Sequence, residues 1–146
     1  DYAIIQLLLQ TGIKVGELTG LQLADVELMD GRGTLTVKGN GGNSHRRIPL
    51  NASVCQALQA YLQVRPPAPE AQHLFLSQEG RSISARTVQR LIHVYTRAAD
   101  LKGVSAHTLR YTFAISMLAE TGDVAMVANL LGHRSVETTL KYIGIS

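Results

Sequence analysis

Residues 26–50 read VELMDGRGTLTVKGNGGNSHRRIPL, and their reading decides the architecture. Val26 to Leu28, Thr34 to Lys38 and Arg46 to Leu50 are short runs rich in β-branched or apolar residues. Between them lie Asp30-Gly31-Arg32-Gly33 and Gly39-Asn40-Gly41-Gly42-Asn43, residues that tolerate the positive φ of tight turns. Three short strands joined by two tight connections predict a small antiparallel sheet. On either side of this stretch the apolar residues recur at helical spacing, so the fold class expected is mainly α with one small sheet (α+β), in a single domain over residues 1–146.

Upstream, Tyr2 to Thr11 is almost continuously apolar and too long for a strand, which predicts a buried helix stopped at Gly12. A second helix is expected from Gly16 to about Leu23. Downstream, Asn51 is placed to cap a helix with Val54, Ala57, Leu58, Tyr61 and Leu62 on one face, ended by Pro66-Pro67-Ala68-Pro69. His73 to Leu76 reads as a strand fragment. Ser84, Ser105, Asp123 and Ser135 each open a further helix, and Gly122 and Gly132 close two of them. Val88, Leu91, Ile92 and Tyr95 are expected inward on the helix after Ser84, and Leu109, Phe113 and Met117 on the one after Ser105.

At 146 residues with 45% apolar content the chain can bury one real core and is not disordered. Fourteen Lys and Arg against eleven Asp and Glu give a net charge of +3, which permits a polyanionic partner without requiring one. Aromatics are 5% with no Trp, too few for base-stacking platforms. A lone Cys55 excludes an internal disulfide and fits a buried thiol in a reducing, cytoplasmic setting. No apolar run reaches membrane-spanning length, and the start at Asp1 reads as a domain cut from a longer protein.

Three segments carry candidate chemistry. Thr11-Gly12-Ile13-Lys14-Val15-Gly16-Glu17-Leu18 sets Lys14 between two helices. His107-Thr108-Leu109-Arg110 puts His107 and Arg110 one turn apart on one helix face, with His107 in the first turn, where an anion is favoured. Leu131-Gly132-His133-Arg134-Ser135 breaks a helix so that His133 turns back, and Tyr142 follows in the next helix. Lys38 stands before a Gly/Asn loop that would let it swing. Cations and His donors gathered around a phenol suit phosphoryl transfer without a metal, since they stabilise the charge that grows on non-bridging oxygens. No carboxylate cluster or His/Cys spacing points to a metal, and no cofactor is called for. Glu17 and Asp25 read as scaffold, Glu17 holding a cation or a cap and Asp25 at a turn. Residues 39–43 are not a phosphate loop, because no helix follows them.

Taken in order, these segments resemble the tyrosine recombinase (phage integrase) family across essentially the whole chain. The first is similar to the family's T-G-x-R-x-x-E-L motif, with Lys14 where its first catalytic Arg stands. Lys38, ahead of Arg46-Arg47-Ile48-Pro49-Leu50, resembles the catalytic lysine. His107 to Arg110 matches H-x-L-R, Leu131-Gly132-His133 matches the L-G-H box, and Tyr142 falls at the nucleophile's place. The resemblance implies the recombinase catalytic-domain fold, a transient 3′-phosphotyrosyl link on Tyr142, and Lys38 as general acid. It also implies a double-stranded DNA partner and other protomers of the same protein, four on two sites in the full-length enzyme. The family's N-terminal DNA-clamping domain would be absent from this chain. Lys14 in place of Arg predicts a slowed reaction, and Tyr111 stands where many relatives carry a second His.

Arg86, Arg90, His93 and Arg97 recur at spacings of four, three and four on the helix after Ser84, opposite its apolar face. With Arg46 and Arg47 they are expected to contact DNA phosphates. Two rival readings remain open from the residues alone. A non-catalytic DNA-binding module would use the last two helices as a helix-turn-helix but would leave His107, Arg110 and Tyr142 as coincidences. A related strand-relaxing topoisomerase would use the same tyrosine chemistry.

Overall fold

A computed structural model describes residues 2–38, 45–66 and 71–144. It contains seven α-helices and one sheet of three strands among the described residues. Helix α1 (Tyr2–Thr11) lies at the centre, with Ala3, Ile4, Leu7, Leu8 and Thr11 buried at the i, i+3, i+4 spacing that makes one helical face. The Thr11 hydroxyl returns to the Leu7 carbonyl at 2.6 Å, which satisfies the one polar side chain among these buried residues. Gly12 ends the helix at φ +70°, and a Cβ there would lie 2.3 Å from the Phe113 ring. The position therefore needs glycine for its backbone angle and for the close approach of a later helix.

The second helix stops earlier than expected. It spans Val15–Thr19 (α2), and a single 3-10 turn covers Leu23–Asp25. The backbone between them pairs instead with a distant segment: the Leu23 amide donates to Gln72 and the Leu74 amide to Leu21, with a lone bridge at Gln22 and His73. Long-range pairing outcompetes continuation of the helix. The strand fragment expected at 73–76 likewise resolves into two isolated bridges, Gln22 with His73 and Leu76 with Ser82. Tyr61 and Arg65 hold this segment down. The Tyr61 hydroxyl donates to the Leu74 carbonyl and accepts from the Leu76 amide, and Arg65 donates to the carbonyls of Ala71, His73 and Leu74.

Strands β1 (Val26–Met29), β2 (Arg32–Lys38) and β3 (His45–Leu50) form an antiparallel sheet in the order β1-β2-β3. Met29 pairs with Arg32, so the first turn is the two residues Asp30-Gly31, and β2 begins two residues ahead of the expected Thr34. Lys38 pairs with His45 at the far end. The Gly/Asn loop that follows Lys38, like Pro67 to Glu70, lies outside the described residues.

Helix α3 (Ala52–Val64) is capped by Asn51, which accepts from the Val54 amide at 3.0 Å. Its inner face is Val54, Cys55, Ala57 and Leu58, while Leu62, expected inward, is exposed. Helices α4 (Ala85–Ala98), α5 (Ala106–Thr121), α6 (Val124–Leu131) and α7 (Val136–Tyr142) open on the side chains of Ser84, Ser105, Asp123 and Ser135, as their sequence positions predict. Each accepts a backbone N–H that the first turn cannot satisfy internally. On α4, Val88 and Ile92 are buried, but Tyr95 sits at the rim, 36% exposed. One core joins all these elements, with Leu7, Leu8, Leu35, Ile48, Leu58, Phe75, Ile92 and Leu131 almost fully enclosed. Among the described residues no helix is long and apolar enough to cross a membrane.

Candidate active site

Two glycine-terminated helices create the first requirement. Helices α1 and α6 end at Gly12 and Gly132, both in the left-handed region, and leave carbonyls without helical partners. Arg110, in the second turn of α5, fills the space between them. Its guanidinium donates to the Gly12 carbonyl and, at 2.8 Å, to the Leu131 carbonyl, and the residue is 5% exposed. A cation at two helix C-termini is well placed for both macrodipoles. Burial pushes the Arg110 pKa down, opposed by Glu17 and Tyr142, yet a guanidinium remains charged throughout the physiological range.

Arg46 forms a second anchor. Its Nε donates to the Leu130 carbonyl at 2.7 Å, and its two terminal nitrogens grip the Glu17 carboxylate at 2.7 and 2.8 Å. Glu17 also accepts from the Lys14 amide at 2.8 Å, which fixes the start of α2. Burial would raise the Glu17 pKa, but the hydrogen bonds from Arg46 and Lys14, with the charges of Arg46 and Arg110, hold it below the usual carboxylate range. The scaffold role expected of Glu17 is what the geometry gives it. The expectation that Arg46 faces DNA needs correction: its side chain is 9% exposed and its donors are directed inward. The strand's alternation carries the signal, because Arg46 shares a face with buried Ile48 and Leu50. Arg47, on the opposite face, is exposed and only 3.9 Å from an equally exposed Glu27.

The Gly132 turn lets the His133 amide close back on the Ala128 carbonyl at 2.9 Å and swings the imidazole inward. A Cβ on Gly132 would lie 2.7 Å from an Arg46 terminal nitrogen, so this turn and the Arg46 anchor need each other. Nδ1 of His133 lies 2.7 Å from Oγ1 of Thr139, a fully buried residue of α7 that sequence reasoning missed. Burial lowers the His133 pKa, and the charges of Arg110, Lys14 and Arg46 lower it further, which disfavours the imidazolium.

Tyr142 closes the site. Its ring meets those of His107, Tyr111 and His133 edge-on, with centroids 5.5, 5.7 and 5.8 Å apart. Its hydroxyl is enclosed and reaches no hydrogen-bond partner among the described residues. Burial raises the Tyr142 pKa, partly offset by Arg110 and reinforced by Tyr111. Tyr111 lies one turn beyond His107, and that i, i+4 spacing was the available sign that both would face the tyrosine.

The structure thus gathers His107, Arg110, His133 and Tyr142, with Lys14 exposed at the head of α2 and close enough for its charge to act on His133. Lys38 is held differently. Its ammonium is 3.8 Å from the buried carboxylate of Asp25, which itself caps the 3-10 turn through the Gln22 amide. On α4, Arg86, Arg90, His93 and Arg97 are all exposed, and none makes an ion pair among the described residues. No group of three His, Cys, Asp or Glu among those residues is arranged to hold a metal ion.

This site on this fold defines a class. The family model described as the phage integrase family matches residues 1–146, and the chain belongs to that family. It is 41% identical over its full length to a tyrosine recombinase XerC of Pelobacter propionicus, covering 48% of that protein. It is 35% identical to a tyrosine recombinase XerD of Bifidobacterium longum, covering 50% of it. Among solved structures it superposes on the XerA recombinase with a TM-score of 0.87 at 32% identity, over 99% of this chain and 53% of that one. The XerH site-specific recombinase bound to its difH substrate, in a pre-cleavage complex, gives 0.86 at 26% identity over 99% of this chain and 43% of that one. The chain spans about half the length of the curated relatives it matches. The fold is that of tyrosine recombinase catalytic domains.

Proposed function

We propose that this chain is the catalytic domain of a site-specific DNA recombinase that cuts and rejoins strands through Tyr142. The observation that carries the reading is the enclosed Tyr142 hydroxyl, without a hydrogen-bond partner among the described residues and set among His107 and His133 within the field of the anchored Arg110. Its oxygen attacks the scissile phosphorus and passes its proton to the facing imidazole of His107. The bond from phosphorus to the 5′ oxygen breaks, leaving a 3′-phosphotyrosyl link and a 5′ hydroxyl. Arg110 keeps donors beyond the two it gives to carbonyls, and these, with His107, His133 and Lys14, meet the charge that grows on the non-bridging oxygens. Lys38 supplies the leaving group's proton after leaving Asp25, whose ion pair with it is long and half exposed. Arg86, Arg90, Arg97 and Arg47 follow the phosphates of double-stranded DNA, and further protomers complete a tetramer on paired sites, in the cytoplasm on the nucleoid.

The decisive measurement is covalent trapping on a nicked suicide duplex. Tyr142→Phe should keep DNA binding and lose the SDS-resistant adduct, since only the attacking oxygen is removed. A Phe variant that still forms the adduct would remove Tyr142 as the nucleophile. Adduct formation followed by strand exchange only between paired sites separates recombination from simple strand relaxation.

A further inference from the structure

Helical threonines commonly return their hydroxyl proton to the carbonyl one turn back, as Thr11, Thr112 and Thr121 do here. Thr139 departs from that habit. Its hydrogen bond among the described residues runs to Nδ1 of His133, at 2.7 Å, and the residue is wholly buried. A hydroxyl carries one proton, and burial denies this one a water. If Nδ1 also carried a proton, two hydrogens would compete for a single contact, and the hydroxyl hydrogen would be left without an acceptor, a state that burial penalises. Acceptance by Nδ1 satisfies both groups.

We infer that Thr139 is a positioning residue whose hydroxyl donates to Nδ1 of His133 and thereby keeps the ring's single proton on Nε2. The inference rests on the proposed role of His133 toward a phosphate. The groups facing the imidazole explain why the tautomer matters. Arg110 from α5, Lys14 at the head of α2 and Arg46 from β3 all bear positive charge, and His107, Tyr111 and Tyr142 surround the same pocket. These cations disfavour an imidazolium, which would offer donors at both nitrogens. A neutral ring has one N–H, so the nitrogen that bears it decides whether phosphate meets a donor or a lone pair. Thr139 settles that choice before DNA arrives.

The test pairs ring nitrogen-15 NMR of the 146-residue chain with single-turnover cleavage of a suicide duplex. The parent should show an unprotonated Nδ1 and a protonated Nε2 at His133. Thr139→Val should let the two tautomers mix and slow cleavage about tenfold or more, the value of one good hydrogen bond, with DNA binding unchanged. Thr139→Ser keeps the hydroxyl and should restore both readings. A parent His133 protonated on Nδ1 overturns the inference, as does a Val variant with unchanged tautomer and rate. If the Val variant does not fold, the parent spectrum and the Ser variant decide. The ring spectrum is independent of cleavage, so loss of the Tyr142 assignment in the trapping experiment would be distinguishable from loss of this one.

Discussion

The corner where α1, α5 and α6 meet holds its cations with carbonyls and one carboxylate, whereas the outer face of α4 leaves its cations to water. Arg110 and Arg46 are each fixed by at least two directed hydrogen bonds. Arg86, Arg90 and Arg97 have no ion-pair partner among the described residues. Both regions are basic, and net charge counts them alike. The first has its guanidinium positions set before any ligand binds, which is what transition-state stabilisation requires. The second keeps long flexible side chains that can follow an irregular line of phosphates. Under the proposed function arginine would serve two different ends in one small domain, and the two should fail differently.

The largest effect is expected at Glu17. Glu17→Gln keeps the shape but leaves Arg46 buried without its counter-charge, and breaking such a pair costs about 3–5 kcal/mol. Thermal or denaturant unfolding reads it directly. The acid limb should change too. Because the Glu17 pKa is lowered in the folded state, its contribution is complete above the ordinary glutamate value and is lost as pH falls through the lower folded value. The variant should lose that part of the acid dependence, and a variant as stable as the parent would mean the corner does not depend on the pair.

Next in size, replacing Arg86, Arg90 and Arg97 together by Ala should leave the melting temperature nearly unchanged while weakening DNA binding. The log–log salt slope should fall by about 0.9 for each phosphate contact removed. An unaltered slope would mean α4 faces solvent in the complex, and the comparison would lose its second half.

Lys14 lies between the two classes, exposed like α4 yet acting on His133 like the corner. Lys14→Arg adds a planar fork of donors to a charge already present. It should raise cleavage by an order of magnitude or more if the new hydrogen bond is worth ~1.5–3 kcal/mol, with a smaller gain in affinity. Tighter binding with no faster cleavage would move Lys14 out of the corner and into the group that merely attracts DNA.

Much of this was legible because its causes are local. Asn51, Ser84, Ser105, Asp123 and Ser135 announce helix starts within three residues, and Gly12 and Gly132 mark stops by the backbone angle they allow. His107 and Arg110, one turn apart, both act on Tyr142, as helical spacing allows. The early end of α2 was hidden, because it depends on pairing with residues fifty positions away, roughly the distance from Leu21 to Leu74. Thr139 was hidden because its partner lies across a turn rather than along a helix face. Arg46 was readable and was misread: a motif match drew attention to its charge, when the alternation of its strand had already turned it inward.

The seven residues of α7 have a consequence of their own. A helix that short does not persist in water by itself. Its phase about its own axis is therefore set from outside, by the Ser135 cap at one end, buried Thr139 within it and buried Ile143 just past it. Adding or deleting one residue between Thr139 and Tyr142 would turn the phenol by about 100°, away from Arg110. Substitutions on the outer side of α7 should leave the aim of the phenol intact, whereas a change in chain length there should misdirect it, so this stretch should tolerate new letters and reject new spacing.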